Sequence, residues 1–521
     1  MAMGLPRTHR QGRLVAAAGP WLAALGAGGL AGLALPPLGA PPLVWLALAI
    51  LWTLLETAIP RRAAACWGGV AVLLSHRWLL ALHPLDWIGV PAPLSLPICW
   101  LLLLLCATLA GLLLLVWADL ALRLDPRRPG SALVLAAVWG LGEVLLAQGP
   151  LFWIGLGSSA LPGDPPLAAL ASVGGAGLVA AVQVLIGWGI WRLLCVRPLR
   201  FSRRLLQVVL ACLLLVGVHA LGGVQLAALG AQAAAGAGGV AEQVLVVQPA
   251  IPTREKFQWQ ARRRLHRQLQ TAFLEAEAQA ADLVVLPEGA LGLDPELAAP
   301  AAVELLSGGF RWQESEGAEP EQRSALLRFP PGAQRHTTAL DKARLVPLGE
   351  WIPMAQLLRW SGLSAVGGVQ PGPPSRLLAR PAGNLAAAIC YEIADGRSLA
   401  QAVAQGGGWL LASANLDPYP LVLQDQFTAL ARLRAMESAR WLVSAANTGP
   451  SLLISPAGQI VEQLAPGRPA MQLLRVPVLH GRTAYARWGE TPVLLLLLLG
   501  LGWRWWERSR ESTEASPARL G

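Results

Sequence analysis

The stretch LAAAICYE, residues 385–392, decides how the rest of this chain reads. Its apolar run predicts a short strand buried on both faces, and the run stops abruptly at Cys390, Tyr391 and Glu392. A strand of that kind carries its last side chain to a sheet end, where a nucleophile can meet a substrate. Five of the six cysteines (Cys66, Cys99, Cys106, Cys195 and Cys212) fall in long apolar segments, and Cys390 alone lies in a stretch that reads as water-soluble. An unpaired thiol in that setting is either a small buried hydrophobe or a nucleophile.

Outward from this stretch, composition sets the class. Of 521 residues, 54% are hydrophobic, 14% are charged and 22 are Trp, which describes a membrane protein. The net charge of +10 does not gather into one basic patch, so the chain does not read as a nucleic-acid partner. The basic residues recur instead in clusters between apolar segments, as topology signals do. Among the 41 of them only Lys256 and Lys342 are lysines. In a chain so biased towards arginine, each lysine invites a chemical reason.

Stretches long enough to cross ~30 Å of hydrocarbon run over about 14–35, 40–59, 63–82, 94–117, 131–148, 167–194 and 205–221, with an eighth at 491–506. Arg61 and Arg62, then Arg123, Arg127 and Arg128, then Arg197, Arg200, Arg203 and Arg204 mark every second loop. The loops around Gly39, over 83–93 and over 149–166 contain no Lys or Arg. Basic loops stay on the cytoplasmic side, so both termini are expected inside and the segment after Leu221 outside. In a bacterium this is a multi-pass inner-membrane protein with a periplasmic domain. The expected division is a seven-helix transmembrane bundle over 1–221, a Gly/Ala-rich linker over 222–239, an α/β domain over 240–487, and the eighth helix with a cytoplasmic tail over 488–521.

Within the α/β domain, short aliphatic runs (VLVVQ at 244, LVVLPE at 283, WLLASAN at 409, SLLIS at 451) alternate with charged helical segments. Chemistry collects at their ends. Glu288 follows a buried strand and a proline, where it either caps the next helix or serves as a desolvated general base. Lys342 opens DKARLVPLGEWIP, residues 341–353, and the scarcity of lysine favours a chemical role: an ammonium near a thiol lowers the thiol pKa and binds an oxyanion. Asn415 ends another strand. Arg434, Glu437 and Arg440, on the following helix, read as structural salt-bridge partners.

In the order Glu, Lys, Cys, these residues resemble the triad of the carbon-nitrogen hydrolase (nitrilase) superfamily, which would fall on Glu288, Lys342 and Cys390. Nearly the whole chain resembles the apolipoprotein N-acyltransferase family, through PPL at 41, WGLGE ending in Glu143, FWIGLG at 152, QPAIP at 248, LVPLGEWIP at 345, ICYE at 389, LRAME at 433 and AANTG at 445. The resemblance implies an eight-helix membrane bundle carrying a nitrilase-like αββα sandwich, with no cofactor or metal. It implies transfer of a fatty acyl chain from a phospholipid to the N-terminal amine of diacylglyceryl-modified apolipoproteins, with Glu350, Tyr391 and Glu392 in supporting roles. A membrane-tethered amidase using the same three residues is the rival reading. Phe257, Trp259, Asn415 and Trp351 are expected near the substrate. Here Phe257 stands where the family commonly has Trp, and Leu416–Tyr419 depart from its usual Asp-Ala-Trp-Phe. The apolar segment after Glu350, from Trp351 through Trp360, reads either as an arm dipping into the membrane interface or as a core helix.

Overall fold

The computed structural model describes residues 8–86, 90–195, 201–256, 258–314, 320–347, 350–351, 368–417 and 419–514. Phe257, Pro418 and the expected arm from Ile352 through Trp360 lie outside the described residues.

Helices occupy each of the eight apolar stretches, and among the described residues four are long and apolar enough to cross a membrane: Ala92–Leu124, Pro129–Gln148, Ala171–Leu194 and Leu205–Ala237. Their outward faces carry Leu101, Leu105, Val116, Leu213, Leu214 and Val216 fully in the open, a surface suited to lipid rather than water. The interior is built on tryptophan. Trp52 meets Trp117 edge-on at 5.2 Å and stacks on Trp191 at 5.9 Å, and each indole N–H of Trp52, Trp67 and Trp117 finds a backbone carbonyl. Gly140 lets two helices touch, since a Cβ there would stand 2.3 Å from Gly177 O. Glu143, buried, accepts from Trp139 Nε1 and Leu156 N, both at 2.9 Å, and so pins the loop after its own helix.

The Gly/Ala-rich stretch after Leu221, expected as a linker, is helical as far as Ala237. Its many alanines favour helix strongly enough to carry the few glycines. The charged residues Arg61, Arg123, Arg127 and Arg128 pair with Asp119, Glu56 and Asp125 at the bundle end away from the α/β domain.

The α/β domain holds two six-stranded sheets. In chain order the strands are β1 (Ala241–Gln248), β2 (Leu283–Leu286), β3 (Glu304–Gln313), β4 (Glu321–Phe329), β5 (Thr338–Asp341), β6 (Leu377–Leu378), β7 (Leu385–Ile389), β8 (Leu410–Ala414), β9 (Leu442–Ala446), β10 (Leu452–Ile454), β11 (Ile460–Gln463) and β12 (Ala470–Pro477). The sheets run β12-β1-β2-β3-β4-β5 and β11-β10-β9-β8-β7-β6. Parallel pairing joins β1, β2 and β3 in one and β7, β8 and β9 in the other, which explains why these strands are continuous hydrophobic runs. Val244, Val246, Leu283 and Val285 face the second sheet, while Leu245, Val247, Val284 and Leu286 face the helix Trp259–Ala278. With the helices Gly396–Ala404 and Leu421–Ser438 on the far side, the layers are those of an αββα sandwich.

At the amino ends of the parallel strands, Arg380 is wholly buried between Glu242 of β1 and Glu304 of β3, and Trp409 Nε1 donates to Glu242 at 2.9 Å. This cluster ties the sheets together at the end opposite the chemistry. Replacing Arg380 with Met leaves the buried Glu242 carboxylate without a cation and Glu304 with Arg328 alone, a loss of about 3–5 kcal/mol. Thermal unfolding of the detergent-solubilised R380M variant is expected to fall by many degrees, and an unchanged midpoint would sink this assignment.

Candidate active site

The site is assembled at the carboxyl ends of the parallel strands. Glu288 follows β2, Cys390 follows β7 and Asn415 follows β8, the ends at which open parallel sheets present ligand sites. Lys342 follows β5 at the sheet edge.

Lys342 is the centre of the geometry. Its ammonium, 1% exposed, donates to Glu288 Oε1 at 2.7 Å and to Glu350 Oε1 at 2.9 Å. The other oxygen of each carboxylate is engaged by backbone: Asn415 N donates to Glu288 Oε2 at 3.0 Å and Val346 N to Glu350 Oε2 at 2.9 Å. The Cys390 thiol feels the charges of Glu288, Lys342 and Glu350. Gly308 makes room for this packing, because a Cβ there would lie 2.3 Å from Glu288 Cα. Cys390 has φ +56, an uncommon conformation for a residue with a side chain, and is 8% exposed. The positive φ turns the Cys390 side chain out of the strand direction.

Glu392 holds the turn against the lysine loop. Its Oε1 accepts from Ala343 N at 2.8 Å and Arg344 N at 3.1 Å, and its Oε2 accepts from Ile389 N at 2.9 Å and pairs with Arg376 at 2.8 Å. The Tyr391 ring lies under Lys342 at 5.8 Å, and its hydroxyl donates to Leu345 O at 2.5 Å. Asn415 contributes through its backbone, while its side chain is bound into a network with Thr253 and Asn447. Trp351, beside Glu350, is exposed. Trp259 is exposed too, with the Arg263 guanidinium 4.6 Å from its ring, and no described contact joins it to the triad. Phe257 is outside the described residues.

Two participants were not among the expected site residues. Lys256 donates to Gly289 O at 3.3 Å and interacts with Glu288, Asp417 and Cys390. It is the second of the chain's two lysines, a signal present in the sequence. Arg376, buried against Glu392, donates also to Asp341 O and Pro373 O. Nothing local to its sequence marks it.

The site meets the helical bundle along an aromatic seam: Tyr419 packs edge-on to Trp78 at 5.8 Å, Trp78 to Phe152 at 5.9 Å, and Phe152 stacks on Phe427 at 5.3 Å. Ala176 N donates to Glu437 at 2.9 Å across the same junction, and Gln426 donates to Ser75 O at 3.0 Å. Arg434 and Glu437 form a buried ion pair at 3.1 Å, in keeping with their expected structural role.

The electrostatics fit a neutral thiol beside an ionised base. Burial and the neighbouring carboxylates push the Cys390 thiol well above its ordinary range, against the pull of Lys342. Burial also raises the Glu288 carboxyl, but the Lys342 ammonium outweighs it and holds that group below the usual carboxylate range. Such an arrangement keeps the proton on sulfur at rest, with an ionised carboxylate beside it.

A family model described as the apolipoprotein N-acyltransferase N-terminal domain matches residues 27–189, and the carbon-nitrogen hydrolase model matches residues 332–475. An apolipoprotein N-acyltransferase of Prochlorococcus marinus (strain MIT 9313) is 48% identical over 475 residues, covering 88% of this chain and 92% of its own length. That of Parasynechococcus marenigrum (strain WH8102) is 46% identical over 477 residues, covering 90% and 97%. Among solved structures, Saccharomyces cerevisiae Nit3, of the nitrilase superfamily, aligns over 46% of this chain and 90% of its own at 16% identity and a TM-score of 0.35.

A carboxyl held low is ionised at every pH above its depressed pKa, and a thiol held high becomes thiolate only in strong alkali. Thioester formation that depends on Glu288 is therefore expected to stay level from neutrality down to about pH 4.5 before falling. Alkylation of Cys390 by iodoacetamide, followed by peptide mass spectrometry, should still be rising above about pH 9. A plateau below about pH 8 would mean that the resting group is a thiolate.

Proposed function

Because the chain belongs to the apolipoprotein N-acyltransferase family, we propose that Glu288, Lys342 and Cys390 move a fatty acyl chain from a membrane phospholipid to a lipoprotein amine. The acceptor is the α-amino group of an N-terminal S-diacylglyceryl cysteine. The observation that carries the residue assignment is the buried ammonium of Lys342 between Glu288 and Glu350, with the Cys390 thiol within reach of all three charges.

Glu288 takes the thiol proton as sulfur attacks an ester carbonyl of the donor. Lys342, with the backbone N–H of Tyr391, stabilises the tetrahedral oxyanion, an effect worth about 2.7–4 kcal/mol per donor. The oxyanion collapses to the Cys390 thioester, and the lysophospholipid leaves with the proton from Glu288. The acceptor amine attacks the thioester and gives a proton to Glu288, which passes it back to sulfur as the amide forms. Glu350 shares the charge of Lys342, while Tyr391 and Glu392 position the turn.

The chain is a membrane protein acting on lipoproteins, and we place its parts as follows. Residues 1–221 form a seven-helix bundle, 222–239 join it to the carbon-nitrogen hydrolase domain at 240–487, and 488–521 hold the eighth span and a cytoplasmic tail. Eight crossings in an inner membrane would leave both termini in the cytoplasm and the hydrolase domain in the periplasm. The clustering of Arg61, Arg123, Arg127 and Arg128 at the bundle end away from that domain supports this orientation. Acyl transfer stands above the amidase reading because the N-terminal family match covers the bundle, which a soluble amide substrate would not require.

Incubation of the purified protein with phospholipid alone is expected to leave a hydroxylamine-sensitive acyl group on Cys390, visible by mass spectrometry. Cys390→Ala should abolish both this adduct and acylation of a diacylated lipopeptide while the protein stays folded in the membrane. Full turnover by that variant would refute the nucleophile.

A further inference from the structure

Arg344 lies two residues beyond Lys342, on the side of the site that faces the helical bundle. Its main chain is fixed by the Glu392 carboxylate at 3.1 Å. Its guanidinium carbon sits 4.9 Å from the centre of the Tyr391 ring, and Nη2 donates to Gly149 O of the bundle at 2.6 Å. The remaining nitrogens, Nε and Nη1, are closed off from solvent and have no hydrogen-bond partner among the described residues. Nor does any carboxylate there stand within ion-pair distance of this side chain. The neighbouring segments 348–349 and 352–367 contain no Asp or Glu that could supply one.

A guanidinium with shielded, unanswered N–H donors carries a desolvation cost that an oxyanion would remove. Its planar donor array suits phosphate and carboxylate. Lys256, another cation beside the site, is answered from within: it is bonded to Gly289 O and attracted by Glu288 and Asp417. Arg344 has no such company, and the Tyr391 ring it covers belongs to the residue next to the nucleophile. In a glycerophospholipid the phosphodiester and the acyl esters share one three-carbon backbone, so an ester carbonyl at Cys390 leaves the phosphate close by. A diacylglyceryl lipopeptide presents no phosphate.

We propose that Arg344 binds the phosphodiester of the acyl donor while the donor's ester carbonyl meets Cys390, an inference that rests on the phospholipid-donor reading above. Arg344 then acts in thioester formation and has no part in the attack of the amine. It also gives the site a reason to prefer a phospholipid over a neutral ester in a bilayer that offers both.

The test uses the full-length protein in detergent, with R344Q and R344K beside wild type, and follows acylation of Cys390 by intact-mass spectrometry. One donor is phosphatidylglycerol and the other is p-nitrophenyl palmitate, an ester without phosphate. The expected result is that R344Q slows acylation by the phospholipid about tenfold or more relative to its effect on the nitrophenyl ester, with partial recovery in R344K. Equal slowing with both donors would assign Arg344 a structural role only, and no slowing with either would remove it from the site. If wild type is acylated by the nitrophenyl ester and never by phospholipid, the donor reading itself fails and takes this proposal with it.

Discussion

The fully buried ammonium of Lys342 is the constraint on which the site depends. A lone cation in that position could not remain charged, and it is held so by two carboxylates whose far oxygens are each fixed by a backbone N–H. Because those N–H groups belong to Asn415 and Val346, the ion pairs also fix the ends of separate strands and loops around one point. Charge balance and geometry are the same arrangement here. The thiol of Cys390 enters as the neutral member, so it adds no further negative charge to the two carboxylates until chemistry begins.

The second requirement is that sulfur keep its place relative to that ammonium. Cys390 departs from β7 with a positive φ, and its turn is held by the Glu392 carboxylate, which bonds to backbone on both sides of the site. Arg376 neutralises Glu392 from behind. One carboxylate therefore sets the distance between the nucleophile turn and the lysine loop. Loss of Glu392 would act on catalysis without touching a reacting atom.

Much of this was legible from sequence, and the reasons differ by feature. Apolar helices announce themselves by local hydropathy, and Glu288, Lys342 and Cys390 by their places at strand ends. The stretch after Leu221 is helix as far as Ala237, because its alanines favour helix strongly enough to carry the scattered glycines. Lys256 was visible as one of two lysines, yet only the fold brings it across to Glu288. Arg376, Arg380 and Arg344 were hidden among 39 arginines, since their partners lie far along the chain: Arg380 meets Glu242 and Glu304, and Arg344 meets Gly149. The carbon-nitrogen hydrolase match begins at residue 332, so Glu288 too is joined to its partners by three-dimensional structure rather than by that segment.

The junction between bundle and hydrolase domain explains why an amidase-like site is built on a membrane anchor at all. Gly149 and Pro150 reach Arg344 and Tyr391, Phe152 stacks on Phe427, and Trp78 meets Tyr419, so the outer ends of the helices form one wall of the site. A wall made from the bundle fixes the thiol relative to the apolar helices. The bundle is thus part of the site, and separating the two domains would leave Arg344 and Tyr391 without the contacts that aim them.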